Sequence, residues 1–273
     1  MRAGSRAALA AAAGTLALVA AGAMAQEEVP FVTTPDRVTL AMLELAQVGP
    51  RDHVIDLGSG DGRIVITAAK RFGASGLGVE IVPDLVRRSR EHARSAGVAE
   101  RAEFREQDLF ATDLGRATVV TMYLLPAVNL QLRPRLLALE PGTRIVSHDW
   151  DMGDWLPDRT LTVDVPEKAI GREKLSRVHL WLVPARIGGV WCASGARLEI
   201  VQRFQRYSAT LATGAAGASA APQAVFDGRI AGRSMHVDPP SALQLELGAN
   251  DLVVRTSDGS AARFARASDS RCA

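Results

Sequence analysis

The chain has 273 residues, 47% of them hydrophobic and 23% charged, which suits one α/β domain with a small second domain behind it. Its 32 basic and 30 acidic residues leave a formal charge of only +2, which argues against a dedicated nucleic-acid binder, because such a protein needs a clustered basic surface for phosphate contacts. The two cysteines, Cys192 and Cys272, either pair in an oxidising compartment or stand as two separate thiols.

Arg2 and Arg6 open an N-terminal segment in which Ala7 to Ala25 is apolar and uncharged, ending in the small-x-small triplet Ala23-Met24-Ala25. This pattern reads as a secretory signal peptide over residues 1–25, with the mature chain starting near Gln26 in the periplasm. If uncleaved, the segment is a membrane anchor. It is rich in alanine and glycine, and alanine gains little from lipid, so no stable span is expected in the mature chain. Both arginines fall inside the segment, so the remainder is formally neutral.

Thr34-Pro35-Asp36 reads as a helix start, with a capping hydroxyl, a proline in the first turn and an acid at the positive helix end. Val38, Met42 and Leu45 follow at helical spacing, and Gly49-Pro50 is expected to stop that helix. Short apolar runs then alternate with helical patterns. Strands are predicted at Val54–Leu57, Gly76–Val79, Ala102–Arg105, Thr118–Met122 and Thr143–Ser147. Helices are predicted at Arg63–Phe72, closed by Gly73, at Asp84–Ala96, closed by Gly97, and at Leu125–Leu139, with a kink or break at Pro134. Two more strands, Leu161–Val165 and Val178–Val183, lack a long helix between them and suit an antiparallel edge. The sum is a Rossmann-like α/β fold with a seven-stranded sheet covered on both faces.

Beyond Pro184 no helical pattern remains. Leu198, Ile200, Leu243, Leu245 and Leu247 alternate as in strands, with hairpin signals at Ser194-Gly195, Asp227-Gly228 and Asp258-Gly259. Thr210 to Pro222 reads as a flexible loop. The expected organisation is a signal peptide over 1–25, an α/β domain over 26–184, and a small all-β domain over 185–273, either a sandwich or an open barrel.

The informative motif is Asp56-Leu57-Gly58-Ser59-Gly60-Asp61-Gly62-Arg63, a glycine-rich turn between the first strand and the first crossover helix. Nucleotide-like ligands bind there, at the carboxyl end of the sheet. A dinucleotide would bring an anionic pyrophosphate to this turn, and Asp56 and Asp61 would repel it. S-adenosylmethionine carries a sulfonium and an ammonium instead, which carboxylates attract. Glu80, after the second strand, is placed for ribose hydroxyls, and Asp108, after the third, for the adenine amino group. Asp56, Gly58, Ser59, Gly60, Asp61, Gly62, Glu80 and Asp108 are therefore the candidate cofactor residues.

Phe31-Val32-Thr33-Thr34-Pro35, the run from Asp56 to Val65, Asp108-Leu109-Phe110 and Tyr123-Leu124-Leu125-Pro126 together resemble one family. It is the class I methyltransferases that include the mitochondrial lysine methyltransferases of the ATP synthase c-subunit and of the adenine nucleotide translocase. Bacterial relatives share the segment from Ser147 to Trp155. The resemblance runs from about Pro30 to Pro184 and omits the β region. It implies methyl transfer from S-adenosylmethionine, with protein lysine as the best-known acceptor. A signal peptide departs from the mitochondrial members, and it raises a difficulty of supply, because the cofactor is made in the cytoplasm.

Methyl transfer is an in-line displacement, so the protein must align nucleophile and methyl group and keep water out. Tyr123, His148 and Asp149, at the ends of the fourth and fifth strands, are the catalytic candidates. Thr33, Thr34, Pro126 and Asp151 are candidates for the acceptor side, while Trp150 and Trp155 suit either substrate contact or a domain interface. No metal is expected, because helical His pairs and Cys-His spacing are both missing. Three functions stay open: a protein methyltransferase, a small-molecule or lipid methyltransferase, and an exported binding protein that keeps the fold without the catalysis.

Overall fold

The computed structural model describes residues 32–168, 173–213, 222–268 and 272. The expected signal peptide lies outside them. Seven strands form the first sheet: β1 (His53–Leu57), β2 (Ser75–Glu80), β3 (Ala102–Glu106), β4 (Val119–Met122), β5 (Arg144–His148), β6 (Arg159–Asp164) and β7 (Leu175–Leu182). Their spatial order is β3-β2-β1-β4-β5-β7-β6. The first five are parallel, and β7 enters antiparallel between β5 and β6. The central strands are apolar on both faces because both faces are covered, so they show no alternation. In β1 every residue after His53 is buried, Asp56 included.

Four helices cover the sheet: α1 (Asp36–Leu45), α2 (Arg63–Phe72), α3 (Pro83–Ser95) and α4 (Pro126–Leu137). On one face α1 and α2 pack Val38, Met42, Ile64 and Ala68 against Val54, Val119 and Val146. On the other, Leu132 and Leu136 of α4 join Ile55, Val120, Ile145 and the two buried indoles Trp155 and Trp181. Gly73 and Gly97 take φ values of 71° and close α2 and α3 as predicted, since the left-handed region costs glycine little. Two predicted signals act differently. Thr34 does not cap α1: Pro35 is the N-cap, and the Thr34 hydroxyl goes to His148. The same helix ends at Leu45, four residues before Gly49-Pro50, because Gln47 turns the chain at φ 52°. Pro134 sits inside α4 without dividing it.

Eight antiparallel strands form the second sheet: β8 (Gly189–Ala193), β9 (Ala196–Arg203), β10 (Arg206–Thr213), β11 (Pro222–Ala231), β12 (Ser234–Val237), β13 (Gln244–Leu247), β14 (Asp251–Arg255) and β15 (Ala261–Arg266). The order runs from β12 through β8 and β15 to β13, and the two end strands come back against each other, giving a nearly closed barrel. Its core holds Trp191, Leu198, Ile200, Tyr207, Phe226, Leu252 and Phe264. Closing the sheet removes most of the exposed edge that a small open sheet would carry. A disulfide joins Cys192 to Cys272, so of the two cysteine alternatives it is the paired one that the structure contains.

Ser194-Gly195 and Asp258-Gly259 are turns, as the sequence signals indicate. Asp227-Gly228 is not a hairpin; it lies inside β11. A Cβ on Gly228 would stand 2.3 Å from the Tyr207 hydroxyl and from His236 O, so glycine serves here to let a tyrosine cross the strand. Thr210–Thr213, expected in a loop, extends β10, and residues 214–221 lie outside those described.

Candidate active site

The register brings the site together. Leu57 lies beside Val79 on one side and Met122 on the other, and Met122 lies beside Ser147. The next residues, Gly58, Glu80, Tyr123 and His148, therefore emerge at one edge of the sheet, the carboxyl end where α/β folds bind ligands.

The turn after β1 is drawn tight by Gly58 N and Ser59 N, which both donate to Val79 O at 2.9 Å. Gly58, Gly60 and Gly62 take φ values of 75°, 54° and 83°, a region that side chains disfavour. At Gly62 a Cβ would also meet the Phe104 ring at 2.7 Å, so α2 starts hard against β3. The Ser59 side chain is buried, and its hydroxyl has no hydrogen-bond partner among the described residues.

Asp56 is 2% exposed and accepts from Thr121 Oγ1 at 2.7 Å. Burial pushes its carboxyl up to about 7; the Thr121 bond opposes this, and the charges of Glu80 and Asp61 add to it. Glu80 spans the turn: Oε2 accepts from Gly60 N at 3.0 Å, and Oε1 from Ile81 N and Val82 N at 2.9 and 3.1 Å. Asp108 is exposed at the end of β3 and accepts from Phe110 N at 2.8 Å, capping a single helical turn at Leu109–Ala111. Asp61 differs from the other acids. Its carboxylate is gripped by Arg63 at 2.6 and 3.0 Å, and Arg63 also donates to Thr34 O at 2.8 Å. Burial acts to raise the Asp61 carboxyl, but Arg63 outweighs it and holds it low. Its charge is thus compensated in place, which leaves Asp56 and Glu80 to attract a cation.

A buried carboxylate with one hydroxyl partner and repelling neighbours is stabilised by any positive charge brought beside it. The residues therefore fit S-adenosylmethionine, with Asp56 and Glu80 as anionic groups and the glycine turn as a close backbone cradle.

The other half of the site lies over β4 and β5. The Tyr123 ring packs on the His148 imidazole, with centroids 3.9 Å apart. His148 is 1% exposed, with Nδ1 3.3 Å from Thr34 Oγ1 and Nε2 2.9 Å from Ser176 Oγ. Burial lowers it to about 4, against the pull of Asp149, so it is a neutral, tethered ring at neutral pH. Asp149 has φ 60°, a costly conformation for a non-glycine residue. Its carboxylate accepts from Lys168 Nζ at 2.7 Å and Arg177 N at 2.9 Å. Burial acts to raise it, and these two partners hold it below the usual range. Burial and the Asp149 charge raise Tyr123.

Thr33 and Pro126 are exposed near these groups in sequence, Pro126 as the first residue of α4, while Thr34 is buried on His148. Asp151 is exposed, and its carboxylate accepts from Gly153 N at 3.0 Å. The indoles separate: Trp155 is fully buried, and Trp150 is 42% exposed.

Sequence reasoning missed Thr121, Lys168, Ser176 and Asn129. Thr121 was findable as a hydroxyl inside the otherwise apolar strand β4. Asn129 holds the chain after β5 by donating to Trp150 O and Asp151 O at 3.3 and 3.1 Å. It, Lys168 and Ser176 carry no local signal, because Asp151, Asp149 and His148, which they hold, lie 22, 19 and 28 residues away.

A family profile described as the ANTKMT methyltransferase domain matches residues 56–159. A protein-lysine N-methyltransferase of Saccharolobus islandicus is 45% identical over 138 residues, 50% of this chain and 86% of that protein. The lysine N-methyltransferase of the ATP synthase c-subunit from Mus musculus is 40% identical over 111 residues, 40% of this chain and 44% of that protein. Among solved structures, an RNA methyltransferase from Salinibacter ruber in complex with S-adenosyl-L-homocysteine is 54% identical, with a TM-score of 0.52. That match covers 57% of this chain and 96% of the other. The chain thus spans most of the Saccharolobus and Salinibacter proteins and less than half of the mouse protein.

Proposed function

From its membership of the class I S-adenosylmethionine-dependent methyltransferase family of the adenine nucleotide translocase and ATP synthase c-subunit lysine methyltransferases, to which the chain belongs, we propose that its acceptor is a lysine side chain of a protein. The observation that carries this reading is the similarity to the Saccharolobus protein-lysine methyltransferase across 86% of that protein's length. The name of the Salinibacter relative raises RNA as a second acceptor. The near balance of 32 basic and 30 acidic residues favours protein over RNA.

When bound, S-adenosylmethionine supplies a methyl group already activated on a sulfonium. In this reading Asp56 and Glu80 hold the cofactor's positive and hydroxyl groups, and the turn Gly58–Gly62 gives its backbone close access. Tyr123 and Asp149 face the acceptor. A lysine must arrive neutral to attack, and Asp149 is held too acidic to keep a proton. Asp149 therefore orients the amine, and Tyr123, kept protonated, offers its oxygen beside it. His148, neutral and fixed between Thr34 and Ser176, sets the tilt of the Tyr123 ring.

Export is part of the proposal: the signal-like residues 1–25 and the Cys192–Cys272 disulfide both support an oxidising compartment. No helix among the described residues is long and apolar enough to cross a membrane.

The test is calorimetry of the chain from Gln26 against S-adenosylmethionine and NAD, followed by transfer of labelled methyl groups to protein and RNA fractions. Binding of S-adenosylmethionine alone, with label on protein lysines, is expected. Label confined to RNA would replace the lysine reading with the second one.

A further inference from the structure

The segment after β5, residues 149–158, is gripped from two sides. From the catalytic half, α4 holds it through Asn129, as above, and through Arg133, which donates to Met152 O at 2.9 Å. From the barrel, the tip of the β9–β10 hairpin reaches the same segment. The Phe204 ring lies over Trp155 with centroids 6.1 Å apart and planes 20° apart. Arg133 and Arg203 lie over the Phe204 ring, 5.4 and 5.9 Å from its centroid. Both arginines also pair with Asp154, Arg203 at 2.7 Å. Gln205, only 6% exposed, donates from Nε2 to Leu156 O at 2.6 Å. Farther along, Arg229 of β11 pairs with Asp158, whose other oxygen accepts from Leu182 N at 2.7 Å.

The end of this segment next to β5 carries Asp149 in its strained conformation and the exposed Trp150. Such a conformation persists only where its surroundings over-determine it. The family profile ends at residue 159, before the first barrel strand begins at Gly189. The hairpin thus lies outside the part of the chain that the profile matches, and its contacts fall on the segment after β5 rather than on the glycine turn.

We infer that the β9–β10 hairpin is a positioning device for the methyl acceptor: Phe204 and Gln205 fix the segment that bears Asp149 and Trp150, and so set acceptor binding without acting on the cofactor. The inference rests on the reading of residues 148–151 as the acceptor side. A segment ordered in advance does not have to be ordered when the acceptor binds, so its immobilisation is read in the acceptor's apparent affinity.

The test uses the full mature chain with Phe204→Ala, Gln205→Ala and the aromatic replacement Phe204→Tyr. Three quantities are measured: S-adenosylmethionine affinity by calorimetry, methyl transfer at graded concentrations of extract protein, and amide hydrogen exchange. For Phe204→Ala we expect exchange in residues 149–156 to rise about tenfold while residues 56–63 keep their protection. The apparent KM for the acceptor should rise about tenfold with cofactor affinity within about twofold, and Phe204→Tyr should recover both. Unchanged exchange and KM, or a loss of cofactor affinity in step with turnover, would overturn the inference. If Phe204→Ala does not fold, Arg203→Ala, on an exposed side chain, is expected to move the same readouts in the same direction by about threefold. Should the wild type bind cofactor and methylate no protein, the lysine reading fails, and exchange in residues 149–156 still decides what the hairpin does.

Discussion

Asp56 and His148 are buried titratable groups whose shifts run in opposite directions. Asp56 has a folded value of about 7, above the ordinary carboxylate 3.8, so the folded protein binds the extra proton. Its contribution to stability is complete below about pH 4 and is lost as the pH rises through about 7. His148 is the reverse: its folded value of about 4 lies below the ordinary 6.5, so its contribution is present above 6.5 and is lost as the pH falls toward 4. The cofactor's positive groups favour ionised Asp56, so affinity should climb by up to about tenfold per pH unit below pH 7 and level off above it. Calorimetry between pH 5.5 and 8.5 checks this, and Asp56→Asn should bind more weakly with a flat profile. A wild-type profile as flat as that of the variant would remove Asp56 from the cofactor site. Glu80→Gln should weaken binding by about 1–3 kcal/mol without altering the slope, since a charged hydrogen bond is lost and the titrating group remains.

At the scale of elements, Gly228 shows how a local signal misleads. Asp-Gly favours a hairpin when nothing opposes it, but here the Tyr207 ring occupies the place of a side chain on β11. Gly228→Ala should therefore destabilise the barrel by about 1–3 kcal/mol, and adding Tyr207→Leu should recover part of that loss. Chemical denaturation of the two variants measures it; a neutral Gly228→Ala would mean that the tyrosine moves aside at no cost. The rest of the contrast follows the same logic. β1 to β5 and their helices were legible because a parallel sheet writes its buried strands as apolar runs and closes its helices with glycines such as Gly73 and Gly97. The placement of Asp56, Glu80 and Asp108 at the carboxyl ends of β1, β2 and β3 was legible because the apolar runs mark where each strand stops. The pairing of Asp61 with Arg63 was not, since a rotamer decides whether that carboxylate faces the ligand or the helix. Nor was the grip of Phe204 on Trp155, a contact between a hairpin turn and a distant connecting segment that neither segment's own pattern encodes.

The whole molecule joins a catalytic sheet to a barrel whose last described residue, Cys272, is tied back to β8 through Cys192. The two cysteines are 80 residues apart, so the link restrains the unfolded barrel strongly and should contribute about 2–4 kcal/mol. In a reducing compartment that contribution would vanish, and the barrel would hold the segment after β5 less firmly. The proposed export and the inferred role of the hairpin are therefore coupled: the oxidised barrel should hold that segment more firmly than the reduced one. Two measurements on protein from the native host examine this together. Mass spectrometry of a periplasmic fraction should find an N-terminus near Gln26 and the Cys192–Cys272 cross-linked peptide. Thermal unfolding with and without dithiothreitol should then show the reduced protein less stable, its loss appearing first in signals from Trp191, which lies beside Cys192 in β8. A cytoplasmic protein with free thiols and an intact N-terminus would overturn the proposed export and leave the cofactor supply without difficulty. A cleaved, cross-linked protein would confirm export and turn the open question to how a cofactor made in the cytoplasm reaches Asp56 and Glu80.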